Sequence, residues 1–149
     1  MKFEIPYPLK MEHEELHAEL AEATKAGGTI GESAVGVATI LHPHFLKEEE
    51  YAMPPLGLLS ALTQEPIRPE MKEVLTMTDR IKAELTQMLE EHKAIVAALG
   101  FLISAAKKEN EVKYIGFAEK LILQAKTEEE VLYPASILVG ELLKIRLSD

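Results

Sequence analysis

The chain contains two copies of one pattern, and this internal repeat constrains the fold more than any other feature. KEEEYAMPPL at 47–56 matches TEEEVLYPAS at 127–136, a match that places Glu48 over Glu128. Repetition of this kind indicates a duplicated supersecondary unit. We therefore expect the same helical unit to occur once in each half of the chain.

A second match lies ahead of the first one in each half. MEHEELHAEL at 11–20 matches EEHKAIVAAL at 90–99 and places His13 over His92. Around both matches, apolar residues recur at intervals of three and four, which is the spacing of one face of a helix. Two such helical hairpins facing each other make an antiparallel up-down four-helix bundle with approximate two-fold symmetry.

Proline, glycine and polar runs predict where the helices end. The four main helices are predicted at 10–25, from near 29 to about 53, from near 69 to the polar turn at 107–111, and at 112–133. A bend is expected at Pro43, because proline lacks the amide hydrogen and crowds the preceding turn. Pro134 is expected to break the fourth helix.

Two shorter helical pieces complete the prediction. One covers residues 56–62, and the other covers 135–147 as a short C-terminal helical extension. The second piece is apolar enough to pack on the bundle or on another subunit, so it is a candidate surface for forming an oligomer.

Composition agrees with an all-α fold in one domain. Hydrophobic residues make up 47% of the chain but aromatic residues only 5%, and unbranched Leu, Ala, Glu, Lys and Met are abundant. These residues lose little side-chain freedom in a helix. A chain of 149 residues is long enough for one core, so residues 1–149 are expected to form a single domain.

Charge and missing residue types exclude several classes of protein. The net charge of −9 argues against binding to nucleic acid or to an anionic membrane. Signal peptides and membrane-spanning runs of about 18 apolar residues are not found, so we expect a cytoplasmic protein. The chain has no cysteine, which excludes disulfides, iron–sulfur clusters and thiolate zinc sites. Any metal must therefore be held by nitrogen and oxygen.

Histidine and glutamate occupy positions that the helical pattern assigns to the core. His44 and Glu48 lie one turn apart on the apolar face of the second helix, and His13, His92 and Glu128 lie on the inner faces of the other three. A single histidine at such a position is usually a hydrogen-bonded core residue. Two buried carboxylates without a basic partner are costly, however, and a shared metal ion would satisfy them together with the histidines.

Other polar residues near these positions receive different predictions. His42 lies two residues from His44 and therefore faces away from it. Glu49 and Glu129 are predicted to belong to a solvated face beside the site. Tyr51 and Tyr133 are predicted to be core or rim aromatic residues, with a role as hydrogen-bond donors to the metal ligands as the alternative.

These motifs are similar to those of the hemerythrin-like, or HHE cation-binding, family, whose helices carry His, HxxxE, His and HxxxE in that order. HPHFLKEEEYAMPP at 42–55 corresponds to the second motif, TEEEVLYP at 127–134 corresponds to the end of the fourth, and the resemblance spans nearly the whole chain. It implies two non-heme iron ions bridged by Glu48 and Glu128. Manganese or zinc are alternatives, because histidine and carboxylate ligands also suit them.

The chain departs from the family pattern at three positions. Gln124 lies where the resemblance implies the fourth-helix histidine, and Val96 lies where oxygen-carrying members have a second third-helix histidine. Conversely, His17 is an additional histidine one turn after His13. An amide binds iron less well than an imidazole, so the corner at Gln124 is expected to be weak or open.

The resemblance, combined with the repeat, implies an uneven pair of ions. As a hypothesis, a tightly held ion is bound on the first hairpin and a weaker ion on the second. The ligands of the first ion would be His13, His17 and His44, and those of the second would be His92 and Gln124. The weaker ion would offer open positions to a small molecule such as dioxygen.

Three functions are compatible with this sequence. The leading hypothesis is a di-iron protein that binds or senses dioxygen or a similar small ligand, a role that needs no catalysis, and whether the protein is an enzyme stays open. An alternative is a di-iron oxidase, a ferroxidase, or an enzyme that reduces nitric oxide or peroxide. A ferritin-like site needs ExxH on two helices, and only Glu14 and His17 have that spacing. The third function is a metal-free structural or partner-binding bundle.

Overall fold

The computed structural model describes residues 2–148, which form helices joined by short turns. There is no β-strand among these residues, so the prediction of an all-α fold is confirmed. The α-helices are α1 Tyr7–Thr24, α2 Gly28–Lys47, α3 Leu59–Gln64, α4 Leu75–Lys108, α5 Val112–Thr127 and α6 Tyr133–Arg146. Two π-helical turns, Glu48–Ala52 and Glu128–Leu132, follow α2 and α5, and two 3₁₀ segments, Pro54–Leu58 and Pro69–Val74, precede α3 and α4.

Local sequence accounts for the limits of the first hairpin. Helix α1 begins at Tyr7, earlier than predicted, with Pro8 in its first turn. Proline is tolerated there because the amide hydrogens of the first turn have no acceptor within the helix. Gly27 and Gly28 connect α1 to α2 with φ angles of 75° and 56°, which are accessible to glycine at little cost.

Four helices pack against each other. Helix α1 packs on α2, α2 on α4, α4 on α5, and α5 on α1, so the contacts close a ring of four. Helix α6 packs on α4 through Val139 and Leu143, while Leu138 and Ile145 are exposed on its other side. The predicted packing of the C-terminal piece on the bundle is therefore confirmed.

Two apolar layers fill the bundle above and below a polar layer. The larger one includes Leu16, Leu41, Ile95 and Leu121, one from each of the four main helices. The smaller one is formed by Tyr51, Ala52, Ile81, Met88 and Tyr133. Burying a side chain of leucine size contributes about 1.5–3 kcal/mol, so these layers stabilise the helix ends that carry the polar residues.

Both π-helical turns have the same hydrogen-bond pattern. The backbone N–H of Met53 donates to the carbonyl of Glu48, and that of Tyr133 donates to the carbonyl of Glu128. A bond from residue i+5 back to residue i widens the turn by one residue and often occurs at functional sites. In both halves, the turn begins at a glutamate that was predicted to bind metal.

The helical path continues through two prolines. Pro43 lies inside α2, which extends to Lys47. The predicted break at Pro134 is wrong: Tyr133 has helical dihedral angles of −65° and −47°, and α6 continues from it. Pro134 lies in the first turn of α6, and the wide turn before it provides the space that an α-helical interior would not.

Candidate metal centre

Four of the predicted metal ligands form a cluster in the polar layer. The side chains of His44, Glu48, His92 and Glu128 are all buried, and one ligand atom of each lies within 4.8 Å of the others. Imidazole nitrogen and carboxylate oxygen are common ligands of iron, manganese and zinc. The described residues thus contain a candidate site made of two histidines and two glutamates.

Each glutamate of the cluster directs its two oxygens to different histidines. Glu48 Oε2 lies 3.6 Å from His44 Nε2, whereas its Oε1 lies 3.5 Å from His13 Nε2. Glu128 Oε1 lies 2.9 Å from His92 Nε2, whereas its Oε2 lies 3.7 Å from His13 Nε2. One oxygen of each carboxylate therefore faces the His44–His92 side of the centre, and the other faces the His13 side.

On the His13 side, two buried atoms have no hydrogen-bond partner. They are His13 Nε2 and Glu48 Oε1, which lie 3.5 Å apart. A buried polar atom without a partner is costly, and native proteins rarely contain one. A metal ion bound to both atoms would remove this cost, so the residues present fit a metal on this side.

The outer nitrogen of His44 is held by a glutamate that sequence reasoning missed. Nδ1 of His44 lies 2.8 Å from Oε1 of Glu91, whose other oxygen accepts hydrogen bonds from Lys47 at 2.6 Å and Gln87 at 3.0 Å. Burial acts to raise the pKa of Glu91, but the bonds from Lys47 and His44 outweigh it and lower that pKa to about 2. An ionised carboxylate in this position fixes the ring and directs Nε2 towards a metal.

The other two histidines have similar outer carboxylates. Nδ1 of His92 lies 3.0 Å from Oε1 of Glu129, and Nδ1 of His13 lies 3.7 Å from Oε1 of Glu49. Glu129 is half-buried and Glu49 is exposed. Glu129 therefore does more than belong to a solvated face, because it orients the ring of His92.

Tyr133 lies at the centre of the cluster, where its hydroxyl donates to the candidate ligands as the alternative prediction for this residue expected. Its hydroxyl lies 2.6 Å from Glu48 Oε2 and 3.3 Å from Glu128 Oε1. It also lies 3.2 Å from His44 Nε2 and 3.1 Å from His92 Nε2. In a regular α-helix, residue 133 would face roughly 140° away from Glu128, and the π-helical turn brings it over the same face.

The two buried glutamates differ in their affinity for a proton. Burial raises the pKa of Glu48 well above its usual value, and the charge of Glu128 raises it further. Burial acts in the same direction on Glu128, but the neighbouring imidazoles of His13 and His92 outweigh it and hold its pKa well below the usual range. Of the two carboxylates, Glu48 is therefore the one whose charged form is less favoured.

The remaining predicted ligands lie at the edge of the cluster or outside it. Gln124 is buried, and its amide donates a hydrogen bond of 3.3 Å to Glu128 Oε2. The half-buried ring of His17 instead lies 4.7 Å from the ring of Phe45 and 5.1 Å from that of His42, which is exposed as predicted. Phe45 also stacks on His13 at 4.3 Å, so its ring contacts both histidines.

A cavity of about 450 Å³ reaches the centre from the N-terminal segment. Residues 2–5 form one wall, and His13, Glu49 and Met53 line the inner part. A much smaller void of about 10 Å³ lies beside His44, His92 and Gln124 under apolar side chains of the larger layer. Another cavity, of about 470 Å³, is lined by His92 and Glu129, so a small molecule could approach the centre from the His13 side or beside His92.

Comparison of the chain with known protein families, characterised proteins and solved structures gives no match. Among the described residues, no helix is both long enough and apolar enough to cross a membrane. The function of this protein must therefore be inferred from the residues of the site itself.

Proposed function

We propose that this protein is a hemerythrin-like metal-binding protein whose centre holds a pair of iron ions bridged by Glu48 and Glu128. The observation that carries the proposal is the division of each carboxylate between the His44–His92 side and the His13 side. Bound iron supplies Lewis acidity, redox capacity and open coordination positions for a small molecule such as dioxygen. Manganese would fit the same ligands.

The ligand sets follow from this division. His44 and His92, whose rings are 4.7 Å apart, would bind one ion together with one oxygen from each glutamate. His13 would bind the second ion with the remaining oxygens, beside Gln124. The ion with fewer histidine ligands is thus assigned to the His13 side, and His17 is left outside the ligand set because its ring packs against those of Phe45 and His42.

The proposal includes an antiparallel bundle of two related hairpins. Three features common to both halves support it: a helix that ends at a candidate ligand, a π-helical turn that begins at Glu48 or Glu128, and a proline after that turn. The short connections from α1 to α2 and from α4 to α5 also favour neighbours that run in opposite directions.

The position of the cavity supports binding of a small ligand. It extends to His13 and Glu49, and its lining includes the apolar side chains of Phe3, Ile5 and Met53. The side chains of His44 and His92 are almost fully buried between the two apolar layers. Binding or sensing of dioxygen or a similar small molecule at the His13 side is therefore the function that we propose.

Anaerobic loading with ferrous iron, followed by exposure to dioxygen and to azide, tests this function. The proposal predicts about two iron ions per chain and a coloured complex that reverses when the gas is removed. Continuous consumption of dioxygen or peroxide would instead indicate an oxidase or a peroxide-reducing enzyme. Protein that retains no iron would contradict the proposal.

One observation favours a metal-free bundle as a second candidate. The hydroxyl of Tyr133 already lies within hydrogen-bond distance of one atom in each of the four clustered residues. A structural bundle could use these contacts in place of a metal. It would still contain the unpartnered atoms of His13 and Glu48, which is why the metal-binding function is preferred.

A further inference from the structure

The hydroxyl of Tyr133 has more close neighbours than its hydrogen-bonding groups can satisfy. Four nitrogen or oxygen atoms lie between 2.6 and 3.3 Å from it. A phenol hydroxyl offers one proton and two lone pairs, so at least one of the four contacts is not a hydrogen bond. The oxygen thus lies where the ligand atoms of His44, Glu48, His92 and Glu128 converge.

The ring of Tyr133 is held in this position by its surroundings. The side chain is fully buried, and its ring stacks on that of His92 with the centroids 5.5 Å apart. It packs with Tyr51, Ile81 and Met88 in the smaller apolar layer. Tyr133 is also the first residue of α6, so that packed helix fixes the position of its backbone.

From this geometry we propose that Tyr133 is a fifth ligand, which binds ferric iron through its phenolate oxygen on the His44–His92 side. This inference rests on the proposed function. An ion within reach of the four clustered atoms would also be within reach of the Tyr133 oxygen. On binding, the O–H bond breaks, the proton passes to solvent, and the oxygen lone pair forms the bond to iron, with no change in oxidation state.

Charge balance favours the ferric ion in this ligand set. A phenolate would add a third negative charge to those of the two shared carboxylates, and an anionic ligand stabilises Fe³⁺ more than Fe²⁺. His44 and His92 bind as neutral rings and add no charge. The anionic oxygen should also make the ferric state harder to reduce, because it stabilises the more highly charged ion.

The repeat shows that this oxygen occurs in one half only. The position equivalent to Tyr133 in the first half is Met53, and the position equivalent to His44 in the second half is Gln124. The second half thus has a phenol in place of an imidazole. The amide at position 124 leaves the centre as a whole with one strong ligand fewer. A phenolate from position 133 would restore that number.

Visible absorption and resonance Raman spectra of the ferric protein test this assignment. Ferric phenolate has a charge-transfer band, and excitation in that band enhances the vibrations of the bound tyrosine ring. Parent protein should show both signals, and Tyr133→Phe should lose both while retaining iron. The matched control is Tyr51→Phe, since Tyr51 is also buried but its hydroxyl contacts Met88 Sδ at 3.9 Å. This control should keep both signals.

The outcomes separate the two proposals. Iron that binds without tyrosine vibrations, or with vibrations unchanged in Tyr133→Phe, would overturn the ligand assignment and leave the proposed function intact. Parent protein that binds no iron would overturn both. If Tyr133→Phe does not fold, parent protein labelled with ring-deuterated tyrosine provides the test. Bands that arise from a bound phenolate must shift on deuteration of the ring. Enhanced bands that do not shift would overturn the assignment.

The reduction potential provides a second measurement that does not depend on activity. Loss of the phenolate should raise the potential of the ion in Tyr133→Phe and leave that of Tyr51→Phe unchanged. An equal potential in parent and Tyr133→Phe would indicate that the hydroxyl only hydrogen-bonds to the ligands, which contradicts the proposal.

Discussion

The end of α2 and the end of α5 are related by sequence, yet they place different chemistry in the centre. Both ends have a glutamate at the start of a π-helical turn. The first end adds the imidazole of His44 one turn earlier, whereas the second adds the amide of Gln124 there and the phenol of Tyr133 one wide turn later. Two helix ends that place equivalent carboxylates in the centre can therefore differ in the other side chains that they add.

The two ends also differ after the turn. Pro54 and Pro55 follow the first turn and lead into a 3₁₀ segment, because two successive residues lack an amide hydrogen. Only Pro134 follows the second turn, and α6 continues the helix. Near the first end, a side chain at Gly57 would collide with the backbone of Glu4, so the N-terminal segment crosses there and forms the wall of the cavity.

Removal of one shared carboxylate should have the largest effect, since both ions use it. Replacement of Glu48 by glutamine is expected to abolish stoichiometric iron binding, because a neutral amide is a poor ligand. The metal-free fold should remain at least as stable, because burial disfavours the ionised form of Glu48. Metal analysis and thermal unfolding measure both effects.

Glu50→Gln is the control, since Glu50 is exposed and pairs with Arg80. A Glu48→Gln protein with full iron would rule out the bridging role.

Loss of an outer carboxylate should weaken binding without removing a ligand. For Glu91→Gln we expect about 10–100-fold lower iron affinity, because the ring of His44 loses its charged partner. The matched control is Glu90→Gln, since the neighbouring Glu90 is exposed and pairs with Lys93. Competition with a chelator measures the affinity. Equal affinities for the two variants would show that Glu91 does not position His44.

Acid should weaken metal binding through the histidines. Burial lowers the pKa of His13 and His92, but the nearby carboxylate of Glu128 outweighs it, so both pKa values are raised. Metal must displace these protons, so affinity should fall as pH decreases, by about tenfold per pH unit for each proton displaced. The fall should begin above the ordinary imidazole pKa of about 6.5. An affinity that is constant from pH about 8 to about 6 would contradict this protonation.

Restoring the missing imidazole should have the smallest effect. Gln124→His places a ring next to Glu128 Oε2, which faces the His13 side. The occupancy of the second ion should rise by roughly a few-fold, because one strong ligand is added. Equilibrium dialysis at limiting iron measures this occupancy. An unchanged metal stoichiometry and affinity would count against placing the weaker ion beside position 124.

The candidate ligands on helix faces could be predicted, because they depend on local periodicity. The spacing of three and four placed His13, His44, Glu48 and His92 on inner faces, and the structure places all four in the core. The helical nature of the chain followed from composition and from the same spacing. In contrast, the prediction of a break at Pro134 was wrong, because it did not include the space that a wide turn provides.

The contacts that depend on three-dimensional packing could not be predicted. Glu91 meets His44 across 47 positions of sequence, and no local pattern marks such a pair. The position of Tyr133 depends on a π-helical turn, which helical periodicity does not include. The ring of His17 packs against those of Phe45 and His42, and sequence spacing does not report such contacts.

Iron binding by parent protein, His44→Ala and His42→Ala is the most direct test of the buried centre. Both histidines lie near the end of α2, but His44 is in the cluster and His42 is exposed. After anaerobic ferrous loading and desalting, parent and His42→Ala should retain the same amount of iron, and His44→Ala should retain much less. Equal iron in the His44→Ala and parent proteins would contradict the assignment of the metal to this centre.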